Sequence, residues 1–141
     1  MNKNSVTHLI KHKLVSENLT CVISDSKEII FTSKKRGVEP LIDFINTLKD
    51  KDNYSLADKV IGKTAALLCI KAGIMYVNTI VISTPAKIIF QRNAVTFDFE
   101  TEVPAISNRD NTGLCPMETL SQGVTTPDEM YDKVVLWLAS K

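Results

Sequence analysis

The sequence predicts a three-layer α/β/α sandwich, a single α/β domain in which helices cover both faces of a β-sheet. Two observations support this fold class. Short β-rich segments alternate along the chain with amphipathic or apolar helical segments, an order typical of α/β sandwiches. The 141 residues are also enough for one domain with a full hydrophobic core. We therefore expect residues 1–141 to fold as one unit.

The predicted elements follow one another in a regular order. Apolar periodicity marks the helices, and β-branched residues bounded by turn residues mark the strands. Thr84 suits the N-cap and Pro85 the first position of a helix that ends near Asn93. Alternating apolar and acidic residues in 95–103 indicate a half-buried strand near an edge. The elements are a helix at Ser5–Glu17, a hairpin of Leu19–Ser24 and Glu28–Thr32, a helix at 39–49, a central helix at Ser55–Gly73, a strand at Met75–Ser83, a helix from Thr84, a strand at Val95–Val103, and a last helix at Pro127–Ser140.

The central helix, Ser55–Gly73, is the segment around which the fold is expected to form. Its second half has almost no polar face, which is typical of a buried helix. Ser55 is placed to cap its N-terminus, with Asp58 completing a capping box three residues later. Gly73 stands where a glycine would end it.

One strip of this predicted helix carries small or polar side chains at turn spacing, including Asp58, Gly62 and Cys69. Two interpretations are open. Another backbone packs closely against Gly62, or the strip forms the floor of a pocket with Asp58 at its mouth.

The composition excludes several functional classes. The 17 basic and 16 acidic residues nearly balance, so no basic surface for nucleic acid or for an anionic membrane is indicated. No run approaches the roughly 20 apolar residues that a membrane span needs, and the polar N-terminus is unlike a signal peptide. The three cysteines form no CxxC pair, which argues against a disulfide framework and a cysteine zinc site. These features predict a reduced, cytoplasmic protein.

Two further patterns in the first half have a functional and a structural interpretation. His8 and His12 lie one helical turn apart, a spacing that can hold a metal, but no third ligand accompanies them. A solvated helix face is therefore favoured, and no metal site is expected. The basic turn Ser33–Gly37 can bind a phosphate or simply form a soluble loop.

The segment 106–118 carries the most specific-looking chemistry in the chain. Pro116 and Glu118 suit the first and third positions of a helix, which places Cys115 at the N-cap position. Helix N-termini favour the thiolate that a nucleophile requires. No histidine lies near Cys115 in sequence to act as its base, so an unreactive buried cysteine is favoured over a nucleophile.

The loop before Cys115 supplies groups that suit an anion site. It offers a cation, a carboxylate, amide groups and a turn glycine just ahead of the free N–H groups of a helix start. The alternative is a structural loop in which Arg109 and Asp110 pair with each other. The loop residues concerned are Asn108, Arg109, Asp110, Thr112 and Gly113.

Three motifs together identify a resemblance. LADKVIGKTAALL, with SKKRGVEPLIDF upstream and ISNRDNTGLCPME downstream, resembles a small family of uncharacterised bacterial and archaeal proteins with the cytidine-deaminase-like fold. The resemblance covers nearly the whole chain beyond the first helix. It implies a central mixed sheet, with strands one and two antiparallel, between layers of helices. It also implies self-association as a homodimer.

The chain departs from true deaminases at their zinc motifs. Those enzymes hold zinc with H-x-E at one helix start and P-C-x-x-C at the next, and the zinc activates water. Here we expect the first position at Ala57-Asp58-Lys59 and the second at Thr84–Ile88, and neither contains a histidine or a cysteine. Zinc-dependent deamination is therefore not expected, and no cofactor is predicted.

Three functional hypotheses follow. The favoured one is a zinc-free, deaminase-fold protein that binds a small nucleotide-like or anionic ligand. The second is an enzyme with Cys115 as nucleophile and Asp58 or Asp110 as proton carrier, and the third is a structural or interaction subunit with a decayed site. If the central helix and the segment around Cys115 form one shared site, Asp58 should lie within about 10 Å of Arg109, Asn111 or Cys115. The predicted ligand-binding residues are Asp58, Lys59, Lys63, Asn108, Arg109, Asp110, Thr112, Gly113 and Cys115.

Overall fold

The computed structural model describes residues 3–47, 53–108 and 113–141. Within these ranges the chain alternates between helices and strands much as the sequence predicts. The described elements are α1 (Lys3–Ser16), β1 (Cys21–Ser24), β2 (Ile29–Ser33), α2 (Glu39–Thr47), β3 (Tyr54–Ile61), α3 (Lys63–Lys71), β4 (Ile74–Ser83), α4 (Thr84–Arg92), β5 (Thr96–Val103), α5 (Pro116–Leu120) and α6 (Pro127–Ala139).

The strands form one mixed sheet in the order β2-β1-β3-β4-β5. β1 is antiparallel to both β2 and β3, whereas β3, β4 and β5 are parallel to one another. The turn between β1 and β2 is fixed by Asp25, whose Oδ1 accepts the backbone N–H groups of Lys27 and Glu28 at 2.8 Å each. The mixed sheet and the antiparallel first pair are therefore confirmed.

Helices cover both faces of this sheet. α1 packs on β1 and β3, where Ile10 and Leu14 meet Val22 and Ala57 in a small apolar cluster. The larger core lies on the opposite face, where α3 packs against α2, α4, α5 and α6. The predicted three-layer α/β architecture is confirmed. None of the described helices has the length and apolar character needed to cross a bilayer.

The prediction of one helix over Ser55–Gly73 is wrong. The first part is β3, the middle strand of the sheet, and only Lys63–Lys71 is helical. β3 is hydrogen-bonded on both sides and its first five residues are buried, so its apolar and polar residues do not alternate regularly. Without that alternation, the hydrophobic pattern does not distinguish a buried strand from a buried helix. Ser55 and Asp58 are consequently strand residues and form no capping box.

The later boundaries follow the predicted ones closely. β4 ends at Ser83, and its hydroxyl accepts the Ala86 N–H at 3.2 Å as the N-cap of α4. Thr84, predicted as that cap, lies inside the helix and donates its hydroxyl hydrogen to Glu102 at 2.8 Å. Asn93 is the C-cap of α4, as expected. Cys115 is the N-cap of α5, also as expected, although its side chain makes no capping hydrogen bond.

Candidate functional site

Glu118 on α5 joins this short helix to the start of α3. Its Oε1 accepts the backbone N–H of Lys63 at 3.2 Å, and its Oε2 accepts the backbone N–H of Ile106 at 3.1 Å. Thr64 adds a second link, because its hydroxyl donates to the Met117 carbonyl oxygen at 2.7 Å. The carboxylate thus occupies the N-terminal end of α3, where backbone N–H groups lack helical partners.

Gly62 makes this contact possible. A Cβ atom at residue 62 would lie 2.5 Å from Oε1 of Glu118 and 2.9 Å from Cγ1 of Ile106, closer than real Cβ contacts. The close-packing interpretation of Gly62 is therefore supported, although its neighbour is a side chain from α5 and not another backbone. This contact fixes where α5, and hence Cys115, meets the main body of the domain.

A cleft of about 590 Å³ opens beside this junction. We call it the outer cleft. It lies where α2 and α5 begin and where α6 ends, and its wall is a mixture of apolar, aromatic and charged side chains. The outer cleft is lined by Arg36–Glu39, Ser107–Asn108, Cys115–Met117, Trp137–Leu138 and Lys141.

A second space of about 190 Å³, which we call the inner recess, adjoins the outer cleft. Gly37, Val38, Cys115 and Met117 line both, so the two spaces lie side by side at the starts of α2 and α5. The rest of the recess wall comes from the end of β3, the start of α3 and the Glu118 junction. These further lining residues are Val60, Gly62, Thr64, Ala65, Ile106 and Glu118.

Among the described side chains that line the outer cleft, two are cationic and one is a carboxylate. Arg36 and Glu39 flank the start of α2, and Lys141 lies at the end of α6. The Lys141 ammonium is 3.8 Å from the ring centroid of Trp137, a cation–π contact at the wall of the cleft. An aromatic side chain and two cationic side chains are thus present in the described wall of the cleft.

Cys115 differs from the two other cysteines in its exposure. It is half-buried and lines both the outer cleft and the inner recess. Cys21 and Cys69 are fully buried, and loss of hydration raises the pKa of each thiol well above its ordinary value, with Asp58 raising both further. Cys115 is consequently the thiol that a reagent or ligand in the cleft can reach, and the predicted burial of Cys115 is only partial.

Asp58 lies away from these spaces, in the middle of β3. It pairs in register with Cys21 of β1 and Thr79 of β4, is 9% exposed, and lines neither the outer cleft nor the inner recess. Burial raises the pKa of its carboxyl from 3.8 to about 7, against the opposing effect of backbone hydrogen bonds that include Val60 N at 3.3 Å. Its predicted position at a helix start is wrong, which removes the reason for expecting it at the mouth of the site.

The other predicted site residues are only partly brought together. Asn108 and Cys115 line the outer cleft, and the Gly113 carbonyl accepts the Asn108 N–H at 2.9 Å just beyond it. Lys59 instead donates to Asn18 Oδ1 at 2.8 Å, and Lys63 lines a separate groove beside α4. Arg109, Asp110, Asn111 and Thr112 lie outside the described residues, so their contacts with Asp58 or with a ligand stay predictions.

Several lining residues were not among the predicted ones. Arg36 and Gly37 belong to the basic turn for which phosphate binding was one interpretation, so that turn was a usable signal. No comparable sequence pattern marked Glu39, Trp137 or Lys141, because each belongs to an ordinary amphipathic helix or to the end of one.

The expected alignment of a zinc motif with Ala57–Lys59 is wrong, since those residues are inside β3. Residues 3–47, 53–108 and 113–141 contain no group of three His, Cys, Asp or Glu side chains arranged to hold a metal ion.

Comparison with known proteins adds a family and a fold. The family profile described as TM1506, domain of unknown function (DUF1893), matches residues 9–136. The crystal structure of a DUF1893 family protein (TM1506) from Thermotoga maritima matches with a TM-score of 0.86, over 96% of this chain and 90% of that chain, at 24% identity. At this identity the likeness shows a shared fold. No curated protein matches. The likeness to cytidine deaminases is not tested by these comparisons and stays a prediction.

Proposed function

Because the chain belongs to the DUF1893 family, a domain of unknown function, we propose from the cleft itself that the protein binds a small anionic or nucleotide-like ligand. The outer cleft carries this proposal. It combines a volume suited to a small molecule with two cationic side chains and a partly exposed indole ring. The cytoplasmic location and zinc-free action predicted from the sequence belong to the same proposal.

The size of the cleft favours a metabolite over a macromolecular partner. Small-molecule sites typically enclose about 300–1,000 Å³ and combine apolar walls with a few convergent polar groups. The outer cleft, at about 590 Å³, falls in this range. Its Pro116, Met117 and Leu138 are apolar, and its charged groups are few.

The sign of the charge favours an anion. Among the described side chains of the lining, Arg36 and Lys141 are cationic and Glu39 is anionic. An arginine guanidinium binds phosphate or carboxylate oxygens with two parallel hydrogen bonds, and the Trp137 ring can hold a flat group at the same wall. The Glu39 carboxylate is then placed to accept hydrogen bonds from hydroxyl or amino groups of the ligand, as in a sugar phosphate or nucleotide.

A thermal-shift screen followed by calorimetry tests this proposal. Inorganic phosphate, ribose 5-phosphate and uridine monophosphate are suitable probes. Binding should raise the melting temperature in a concentration-dependent way, and Arg36→Ala should weaken affinity at least tenfold. Lys34→Ala is the matched control, because it removes an exposed cation from the same turn but lies outside the cleft lining.

The control decides between a specific site and general charge. If Arg36→Ala and Lys34→Ala reduce affinity equally, the anion is held by the general charge of the turn and the cleft proposal is wrong. If none of the three probes binds to the wild-type protein, the result favours the hypothesis of a structural or interaction subunit.

The accessibility of Cys115 supports a second candidate, an enzyme in which its thiolate attacks a ligand in the cleft. Glu39 shares the outer cleft with this thiol, whereas Asp58, one of the predicted proton carriers, does not. Alkylation by iodoacetamide at pH 7 separates the candidates. A nucleophile should react several-fold faster than a free model thiol, and a rate no faster than that thiol would exclude this candidate.

A further inference from the structure

The inner recess narrows the class of ligand. Building on the proposed function of the outer cleft, we propose that the ligand is an anion carrying an apolar ring or branched aliphatic arm, and that this arm enters the inner recess. An aryl or branched acyl phosphate or carboxylate has this chemistry. A nucleotide that inserts its base into the recess does not.

The size of the recess fits such an arm. An apolar protein cavity of about 150 Å³ is sufficient to bind benzene. The inner recess, at about 190 Å³, can therefore accept a six-membered carbon ring or a branched chain of similar bulk.

The polarity of the wall argues against a nucleobase in this position. Val38, Val60, Ala65 and Ile106 supply apolar surface. The polar side chains of the described wall, apart from the Cys115 thiol at its entrance, are already engaged, as the contacts of the Glu118 junction show. The polar edge of a base would lose its water there without gaining equivalent partners, which is unfavourable. An apolar arm incurs no such penalty.

The entrance determines how a ligand would span the two spaces. Gly37, Val38, Cys115 and Met117 line both, so an arm in the recess continues directly into the outer cleft. Arg36 and Lys141 lie on the cleft side of this entrance and on no described wall of the recess. The anionic group is thus expected outside and the apolar arm inside.

Calorimetry with three phosphate compounds that differ in the group attached to the phosphate tests the inference. Methyl phosphate has almost no arm, benzyl phosphate has an apolar ring, and uridine monophosphate has a polar one. Benzyl phosphate should bind at least tenfold more tightly than methyl phosphate, because ring burial adds apolar area removed from water. It should also bind more tightly than uridine monophosphate.

Variants that fill the recess locate the ring. Val60 is 45% exposed at the end of β3, so Val60→Phe adds bulk at the recess without replacing a core residue. This variant should remove the tenfold advantage of benzyl phosphate and leave methyl phosphate binding unchanged. Val15→Phe, the same substitution at an exposed position of α1 on the other face of the sheet, should retain the advantage. Ala65→Met fills the recess from α3 and replaces Val60→Phe if circular dichroism shows that the latter misfolds.

Each outcome has a distinct meaning. If methyl and benzyl phosphate bind equally, or if the filling variants leave the advantage intact, the inference is overturned while the proposed function stands. If uridine monophosphate binds most tightly and loses affinity in Val60→Phe, the recess holds a base and the inference is again wrong. If no probe binds to the wild-type protein, the proposed function fails and the inference fails with it.

Discussion

The buried Asp58 carboxyl should make the stability of this protein fall as pH rises from about 4 to about 7. Asp58 lies between β1 and β4 in the middle of the sheet, and burial raises its pKa from 3.8 to about 7. Backbone hydrogen bonds from Lys59 and from Val60, whose N lies 3.3 Å from Oδ1, compensate only in part. The carboxyl is therefore neutral in the folded protein over a pH range in which it is ionised in the unfolded chain.

The sign and size of the effect follow from proton linkage. Below pH 3.8 Asp58 is protonated in both states, and its full stability contribution is present. Between pH 3.8 and about 7 the folded protein retains a proton that the unfolded chain releases, so the free energy of unfolding decreases with pH. The folded and unfolded pKa values differ by roughly three units, which corresponds to about 4 kcal/mol of unfolding free energy. This loss of stability is complete once the pH exceeds about 7.

Asp58→Asn isolates this contribution. An asparagine keeps an oxygen for the Val60 N–H but cannot ionise, so the difference in unfolding free energy between variant and wild type should change by about 4 kcal/mol between pH 4 and pH 8, in favour of the variant at pH 8. Urea unfolding, followed by the fluorescence of the single tryptophan, measures it at each pH. Contributions of groups unaffected by the substitution cancel in this difference.

Glu102→Gln serves as a control of opposite sign. Hydrogen bonds from Lys87 and Thr84 lower the Glu102 pKa, so the wild type should lose its advantage over this variant as pH falls below about 4.5. A difference between wild type and Asp58→Asn that stays constant from pH 4 to pH 8 would refute the assignment of a neutral, buried Asp58.

Two further predictions concern the Glu118 junction and the thiol beside it. Gly62→Ala should destabilise the protein by about 1–3 kcal/mol in urea unfolding, because the added Cβ meets the Glu118 carboxylate at 2.5 Å. The control Gly113→Ala should be nearly neutral, because its added Cβ has open space around it. Equal losses of stability in the two variants would contradict the packing argument. In the native state Ellman's reagent should modify one of the three cysteines, because the thiols of Cys21 and Cys69 are buried. Cys115→Ser should reduce the number of modified cysteines to none. Labelling of two or more cysteines in the folded wild type would show that the core opens.

The fold was largely predictable, and its one large error has a physical cause. Elements with one covered face, such as β5 and α6, show a clear period in sequence and were located within a few residues. β3 is covered on both faces and paired on both edges, so it has no polar side to reveal a period of two. The polar residues Ser55 and Asp58 of β3 added to the error, because their spacing also matches a capping box.

The site was less predictable, because its geometry depends on contacts between distant parts of the chain. The carboxylate of Glu118 meets the start of α3 across 55 positions of sequence. The local sequence pattern identified each partner separately and not the contact between them. It marked Glu118 as an acid in the first turn of α5 and Gly62 as a small residue. Neither observation indicates that the two residues meet. The amphipathic pattern of the last helix likewise does not indicate that Trp137 lies at the outer cleft.

The two buried carboxylates, Glu118 and Asp58, differ in their relation to the proposed site. Glu118 is 8% exposed and accepts one backbone N–H on each oxygen, so its burial is matched by hydrogen bonds from α3 and from the chain before α5. Asp58 is buried to a similar extent with weaker compensation, and it lowers stability at neutral pH without touching either cavity. If Glu118 served stability alone, an apolar side chain packed against a larger residue at position 62 would do as well. The Gly62–Glu118 pair instead leaves the recess open and keeps Cys115 beside it, so the proposed site depends on this junction and not on Asp58.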